Sequence, residues 1–102
     1  MDFNTLHIFN FGKAQLVGEK YNKTVDLSEL TNAQSFIDSV VAQKPEDFKI
    51  DNFHVLHVFN NLKAVYISTA QDPSEVSQFS VEWNNLNLGL LQSLVNEILN
   101  IE

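Results

Sequence analysis

The sequence contains no cysteine and no arginine, only three glycines and two prolines. Each shortage removes a class of explanation. Without cysteine there is no disulfide framework, no thiolate metal site and no cysteine nucleophile. Without arginine there is no bidentate fork for phosphate or for guanine. The three glycines form neither a dinucleotide-binding fingerprint nor a P-loop. No stretch approaches the ~18 apolar residues that span a bilayer, so no membrane partner is expected. Positive charge is also scarce. Six lysines stand against thirteen acids, a net charge of −7. Such a chain repels a phosphate backbone, and no nucleic-acid partner is expected.

What is present points to a folded domain. The chain has 102 residues, is 44% hydrophobic and carries 8 Phe, 2 Tyr and 1 Trp. That is enough apolar surface to offset the entropy of ordering, in a single domain spanning 1–102. Met1-Asp2-Phe3 lacks the basic-then-apolar pattern of a secretory leader, so a cytoplasmic location is expected. Asn22-Lys23-Thr24 matches a glycosylation sequon and, without a leader, reads as an ordinary turn.

An internal echo organises the chain. Leu6-His7-Ile8-Phe9-Asn10 recurs as Leu56-His57-Val58-Phe59-Asn60. Phe3 then aligns with Phe53, and Lys13-Ala14 with Lys63-Ala64. Short alternating runs follow at Thr24–Leu27 and Phe79–Trp83, each succeeded by a helical pattern. The chain reads as a pseudo-two-fold internal repeat with halves at about 1–47 and 48–102.

Residues 3–10 and 53–59 are rich in β-branched and aromatic types, which fit a pleated surface. Asn10-Phe11-Gly12 and Asn60-Asn61-Leu62 supply turn chemistry, since Asn and Gly tolerate positive φ. Return strands are expected over roughly 13–19 and 63–70. Alternation puts Leu56 and Val58 on one face and Phe53, Val55, His57 and Phe59 on the other. Both faces are largely apolar, so either helices cover one face and a partner the other, or these strands sit centrally in the sheet.

Thr31-Asn32-Ala33-Gln34 fits a capping box, with Thr31 as N-cap and Gln34 reaching back. Ala33, Phe36, Ile37, Val40 and Val41 continue as a helical stripe that Pro45 ends. A strand is expected from about 48 to 59. Asp72-Pro73-Ser74-Glu75 reads as a turn entering a strand. Trp83 precedes Asn84-Asn85, a helix-cap signal. The last helix is expected from Leu86 to Leu99, with an arc of Leu and Ile opposite a polar stripe of Gly89, Ser93 and Asn96.

Catalytic patterns are missing. There is no G-x-S-x-G elbow, and no carboxylate pair sits in apolar surroundings that would raise its pKa. His7 and His57 occupy equivalent places in the echo, yet no third ligand stands at metal-binding spacing. No catalytic residue, metal or cofactor is assigned, and the chain is not expected to be an enzyme. Residues 64–102 carry Asp72, Glu75, Glu82, Glu97 and Glu102 but no lysine, which reads as solubility.

The expected fold is α+β: a single antiparallel β-sheet with two helices packed on one face, in the order ββ(β)αββ(β)α. That order resembles the profilin-like arrangement of longin and roadblock domains, with no shared motif. The resemblance implies dimerisation through a sheet edge or a helix. The expected function is a non-catalytic protein–protein interaction module: an adaptor, a small inhibitor or immunity-type protein, or a phage or secretion accessory protein. Its partner is a protein or a second copy, as a homodimer. The candidate interface is Phe3, His7, Phe9, Phe53, His57, Phe59, Trp83, Gly89, Ser93 and Asn96. The alternative is a small-molecule or metal-binding protein, or weak enzyme, using His7 and His57.

Overall fold

A computed structural model describes residues 1–48, 52–69 and 76–101. Six strands form one antiparallel sheet: β1 (Thr5–Phe9), β2 (Lys13–Val17), β3 (Asn22–Asp26), β4 (Asn52–Phe59), β5 (Lys63–Thr69) and β6 (Val76–Glu82). Their order across the sheet is β3-β2-β1-β4-β5-β6. Helices α1 (Ala33–Val41) and α2 (Leu88–Asn100) follow β3 and β6. The fold is α+β in the expected element order. Period-two alternation sends Leu6, Ile8, Leu16, Leu56, Val58 and Ala64 to one face of the sheet. They share a core with Phe36 and Val40 of α1 and with Leu91, Leu94 and Ile98 of α2. Each such Leu or Ile contributes about 1.5–3 kcal/mol by leaving water.

The runs at 24–27 and 79–83 belong to two edge strands, 22–26 and 76–82, with Leu27 and Trp83 starting the 3-10 turns that follow. The sequon therefore lies in β3, where Asn22 Oδ1 accepts a hydrogen bond from Gln15 Nε2 at 2.9 Å. Asp72–Glu75 lies outside the described residues.

The pairing scheme is symmetric. Leu6↔Leu16, His7↔Gln15 and Ile8↔Ala14 in the first hairpin match Leu56↔Tyr66, His57↔Val65 and Val58↔Ala64 in the second. β1 and β4 pair at the centre so that His7 stands directly opposite His57. The strand registers on the two sides of that pair correspond residue for residue from 6–8 and 56–58. Asn10 N–H donates to His54 O and Asn60 N–H to Asn4 O, both at 3.0 Å, as symmetry mates. Leu27 N–H to Gly12 O and Trp83 N–H to Leu62 O are another such couple.

The turns differ in detail. Gly12 carries φ +83 in the first hairpin and Asn61 φ +63 in the second. Each hairpin thus uses one of the two residue types that enter the left-handed region cheaply. β2 ends at Val17, two residues early, because Gly18 N–H bonds to Tyr21 O and turns the chain.

A bulge interrupts β4. Phe53 pairs with Ser68 but Val55 with Ile67, so one extra residue stands on β4. This corrects the expected facing of Phe53. The extra residue reverses the alternation and turns Phe53 to the helix side, where it stacks on Tyr66 at 5.3 Å.

Both helix starts also differ from the sequence pattern. The N-cap of α1 is Asn32, and its side chain does not cap. Glu97 of α2 caps from across the core instead. Its Oε2 accepts from Thr31 N–H at 2.7 Å and its Oε1 from Asn32 N–H at 2.9 Å, with further bonds from both side chains. A carboxylate also suits the positive end of the helix dipole. Gln34 bonds forward to Asp38 and leaves the capping box unmade. The last turn of α1 tightens at Gln43 and Lys44, so the helix closes before Pro45 is reached. Residues 83–85 form a 3-10 turn and Asn87 caps α2, its Oδ1 accepting from Leu90 N–H at 3.1 Å.

Candidate interaction surface

The helices cover one face of the sheet and leave the other open. At the centre of the open face are His7 on β1 and His57 on β4, brought together by the register of the two central strands. Their Nδ1 atoms are 2.6 Å apart and the rings meet edge to face at 4.8 Å. At that separation one ring donates and the other accepts, so one proton is shared between the two nitrogens. Burial, then the proximity of His57, lowers the pKa of His7. Burial, then His54, lowers that of His57. Both rings therefore sit below the ordinary value of 6.5 and are neutral at pH 7.

Aromatic rings extend the pair in both directions. Phe9 stacks on His7 at 6.0 Å, Phe11 stacks on Phe9 at 5.0 Å, and Phe59 lies 6.1 Å from His57. Five rings thus cross the face in one band. Val55, Val65 and Ile67 share that face through their pairing with Phe9, His57 and one another. Val55 is buried there, outside the helix-side core. Phe11 is 68% exposed.

Charge on this face is balanced. Lys13 forms an ion pair with Asp26 at one corner. Lys63 stands opposite Glu82 in register at the symmetric corner. Among the described residues two lysines and two acids cancel here, while the chain carries −7.

The ten residues singled out in the sequence separate into three groups. His7, Phe9, His57 and Phe59 come together on the open face. Phe3, Phe53 and Trp83 do not. Phe3 is 2% exposed, because β1 begins only at Thr5 and the chain bends beforehand. Its ring packs 6.5 Å from Trp83, which is half-buried against the core. Gly89, Ser93 and Asn96 are exposed on α2, on the side of the helix away from the sheet. Asn96 accepts from Gln92 within that stripe.

Phe11, Val65 and Ile67 were missed by sequence reading. The alternation Lys63-Val65-Ile67 carried the signal for two of them, but the sheet order was needed to place them beside His57. Tyr66, turned the other way, lines an apolar cleft of about 430 Å³ with Phe53, Ile37 and Val41. Its burial raises the hydroxyl pKa above 10.0. The cleft contains no nucleophile–base pair. Among the described residues no group of three His, Cys, Asp or Glu is placed to hold a metal, and no helix is long and apolar enough to cross a membrane.

No known protein family matches the sequence, and neither a curated protein nor a solved structure matches it. Function must be argued from the surface itself.

Proposed function

We propose that this chain is a non-catalytic protein–protein interaction module whose docking surface is the open sheet face. The observation that carries the reading is the band Phe11–Phe9–His7–His57–Phe59 on a face that no helix covers. A solvated sheet face ordinarily alternates to polar residues. Here the central strands keep aromatic and aliphatic groups, with neutral imidazoles between them. Aromatic residues flanked by balanced charge are the composition of an interface core and its rim. An adaptor, a small inhibitor or immunity-type protein, or an accessory subunit of a phage or secretion assembly would present such a face. Phe3, Phe53 and Trp83 belong to the core in this reading. The Gly89/Ser93/Asn96 stripe is the competing surface.

The test is Phe59→Asp against Ser93→Lys, with association read by light scattering and by affinity capture of protein partners. Phe59→Asp is expected to abolish association with the far-UV circular dichroism unchanged, and Ser93→Lys to leave it intact. The reverse pattern would move the docking surface to α2. A melting temperature raised by Zn²⁺ or Ni²⁺, and returned by His57→Ala, would favour the metal-binding alternative.

A further inference from the structure

Resting on that reading, we propose that the open face takes a second copy of this chain, the two sheets stacking face to face across a two-fold axis with both His7–His57 pairs at the centre. Three observations converge on this occupant.

The first is charge. Two chains of −7 repel unless their contact excludes the surplus acids. The open face is where lysines and acids balance: Lys13 with Asp26, Lys63 with Glu82. Among the described residues, the remaining acids lie on helices, in turns and near the N-terminus.

The second is symmetry. A dimer of identical chains uses one self-complementary patch. The open face already carries an approximate two-fold axis through the histidine pair. Adding a dimer axis in the plane of the face makes a pseudo-222 arrangement. Each favourable contact then recurs about four times, with Phe9 and Phe59 as equivalent positions.

The third is area. Six strands about 4.8 Å apart and at least five residues long present roughly 500 Å² per face, or about 1,000 Å² for two copies. That is the lower bound for a specific interface, so a reversible, concentration-dependent dimer is expected. Two aligned sheets would place the helices outside, in four layers.

The histidine pair makes this dimer acid-labile. At 2.6 Å the two Nδ1 atoms hold one proton between them. Each added proton charges one ring: the first places a cation in the desolvated contact, and the next charges the second ring and drives the two apart. The groups nearest the pair offer no acid to compensate. His54 on β4 further disfavours a charge on His57, Lys13 and Lys63 border the adjoining strands, and Asp26 and Glu82 lie at the outer corners beside those lysines. Burial already lowers both pKa values in the single chain, and covering the pair in the contact lowers them further, so the dimer is favoured at pH values where both rings are neutral. It is lost as pH falls through the folded values.

Sedimentation equilibrium of the full chain, from about 1 to 200 µM, tests this, with small-angle scattering for shape. At pH 7.5 a particle of twice the 11.6 kDa chain mass is expected. Its scattering should fit a compact four-layer body. Phe9→Asp and Phe59→Asp should weaken it to a similar degree and Ser93→Lys should not. The dissociation constant should rise about tenfold or more at pH 5.0, equivalent to about 1.4 kcal/mol. The wild-type mass, shape and pH dependence stand even where a variant fails to fold. A monomer throughout, an elongated twelve-stranded particle, or a dimer indifferent to pH would overturn the proposal. If the wild type is monomeric but Phe59→Asp abolishes capture of a foreign protein, only the self-pairing falls and the interaction reading survives.

Discussion

Glu97 shows how a single side chain can join two elements. Burial alone would raise its pKa, but hydrogen bonds from Thr31 and Asn32 outweigh it and hold the carboxyl below 4.5. A lowered carboxyl pKa stabilises the fold above the unfolded value, and the effect is lost as pH falls through the folded one. Glu97→Gln retains one acceptor but sets an amide N–H against a backbone donor. It is expected to cost about 1–2 kcal/mol at pH 7, the magnitude of a lost helix cap. Urea unfolding at pH 7 and pH 3 checks this. The gap between wild type and variant should narrow at pH 3, and equal stabilities at pH 7 would refute the cap. Nothing local marked Glu97 for this role, since its partners lie 65 and 66 residues away. By contrast, the equivalence of His7 and His57 was legible in the echo. Their contact required the central strands to pair at one register out of several.

At the scale of elements, two glycines carry opposite predictions. A Cβ on Gly18 would strike the ring of Tyr21, whose hydroxyl donates to Asp2 O and ties down the N-terminal segment. Gly18→Ala must displace that ring and is expected to destabilise by about 1–3 kcal/mol, as overpacking does. A Cβ on Gly89 meets only Asn87 Oδ1, at 3.6 Å. Gly89→Ala is expected to stabilise by about 0.5–1 kcal/mol through helix propensity. Thermal unfolding of the two variants should show shifts of opposite sign, and a gain for Gly18→Ala would discredit the packing described. The helices were readable because their apolar stripes repeat at helical spacing. The edge strands showed only as short alternating runs, and their pairing with β2 and β5 decided that they are strands. The bulge at His54 was not, because an inserted residue leaves the strand's composition unchanged while reversing every side chain before it. Phe53 was misplaced for that reason. Phe3 was misplaced because alternation was extended past the bend before Thr5.

For the whole molecule, the contrast between a chain at −7 and a neutral open face has a measurable consequence. Association through that face should change little between 50 and 500 mM NaCl, because the charges described on it balance in sign. Contact through the acidic remainder would strengthen several-fold as salt screens the repulsion. A titration of the apparent dissociation constant against salt separates the two.

Composition and periodicity by themselves determined the class of fold, the order of its elements and most of the core. Those properties follow from local rules: side chains alternate along a strand and recur every three to four residues in a helix. The echo of Leu-His-Ile-Phe-Asn likewise marked two hairpins of one kind. Only the tertiary structure decided that these hairpins adjoin through β1 and β4, placing the imidazoles 2.6 Å apart. It alone decided which face the helices cover, with Leu6, Ile8, Leu56 and Val58 beneath them and the aromatic band on the other side. Strand order and helix placement depend on how separate apolar surfaces satisfy one another in space. That competition involves the whole chain, and no window of sequence contains it.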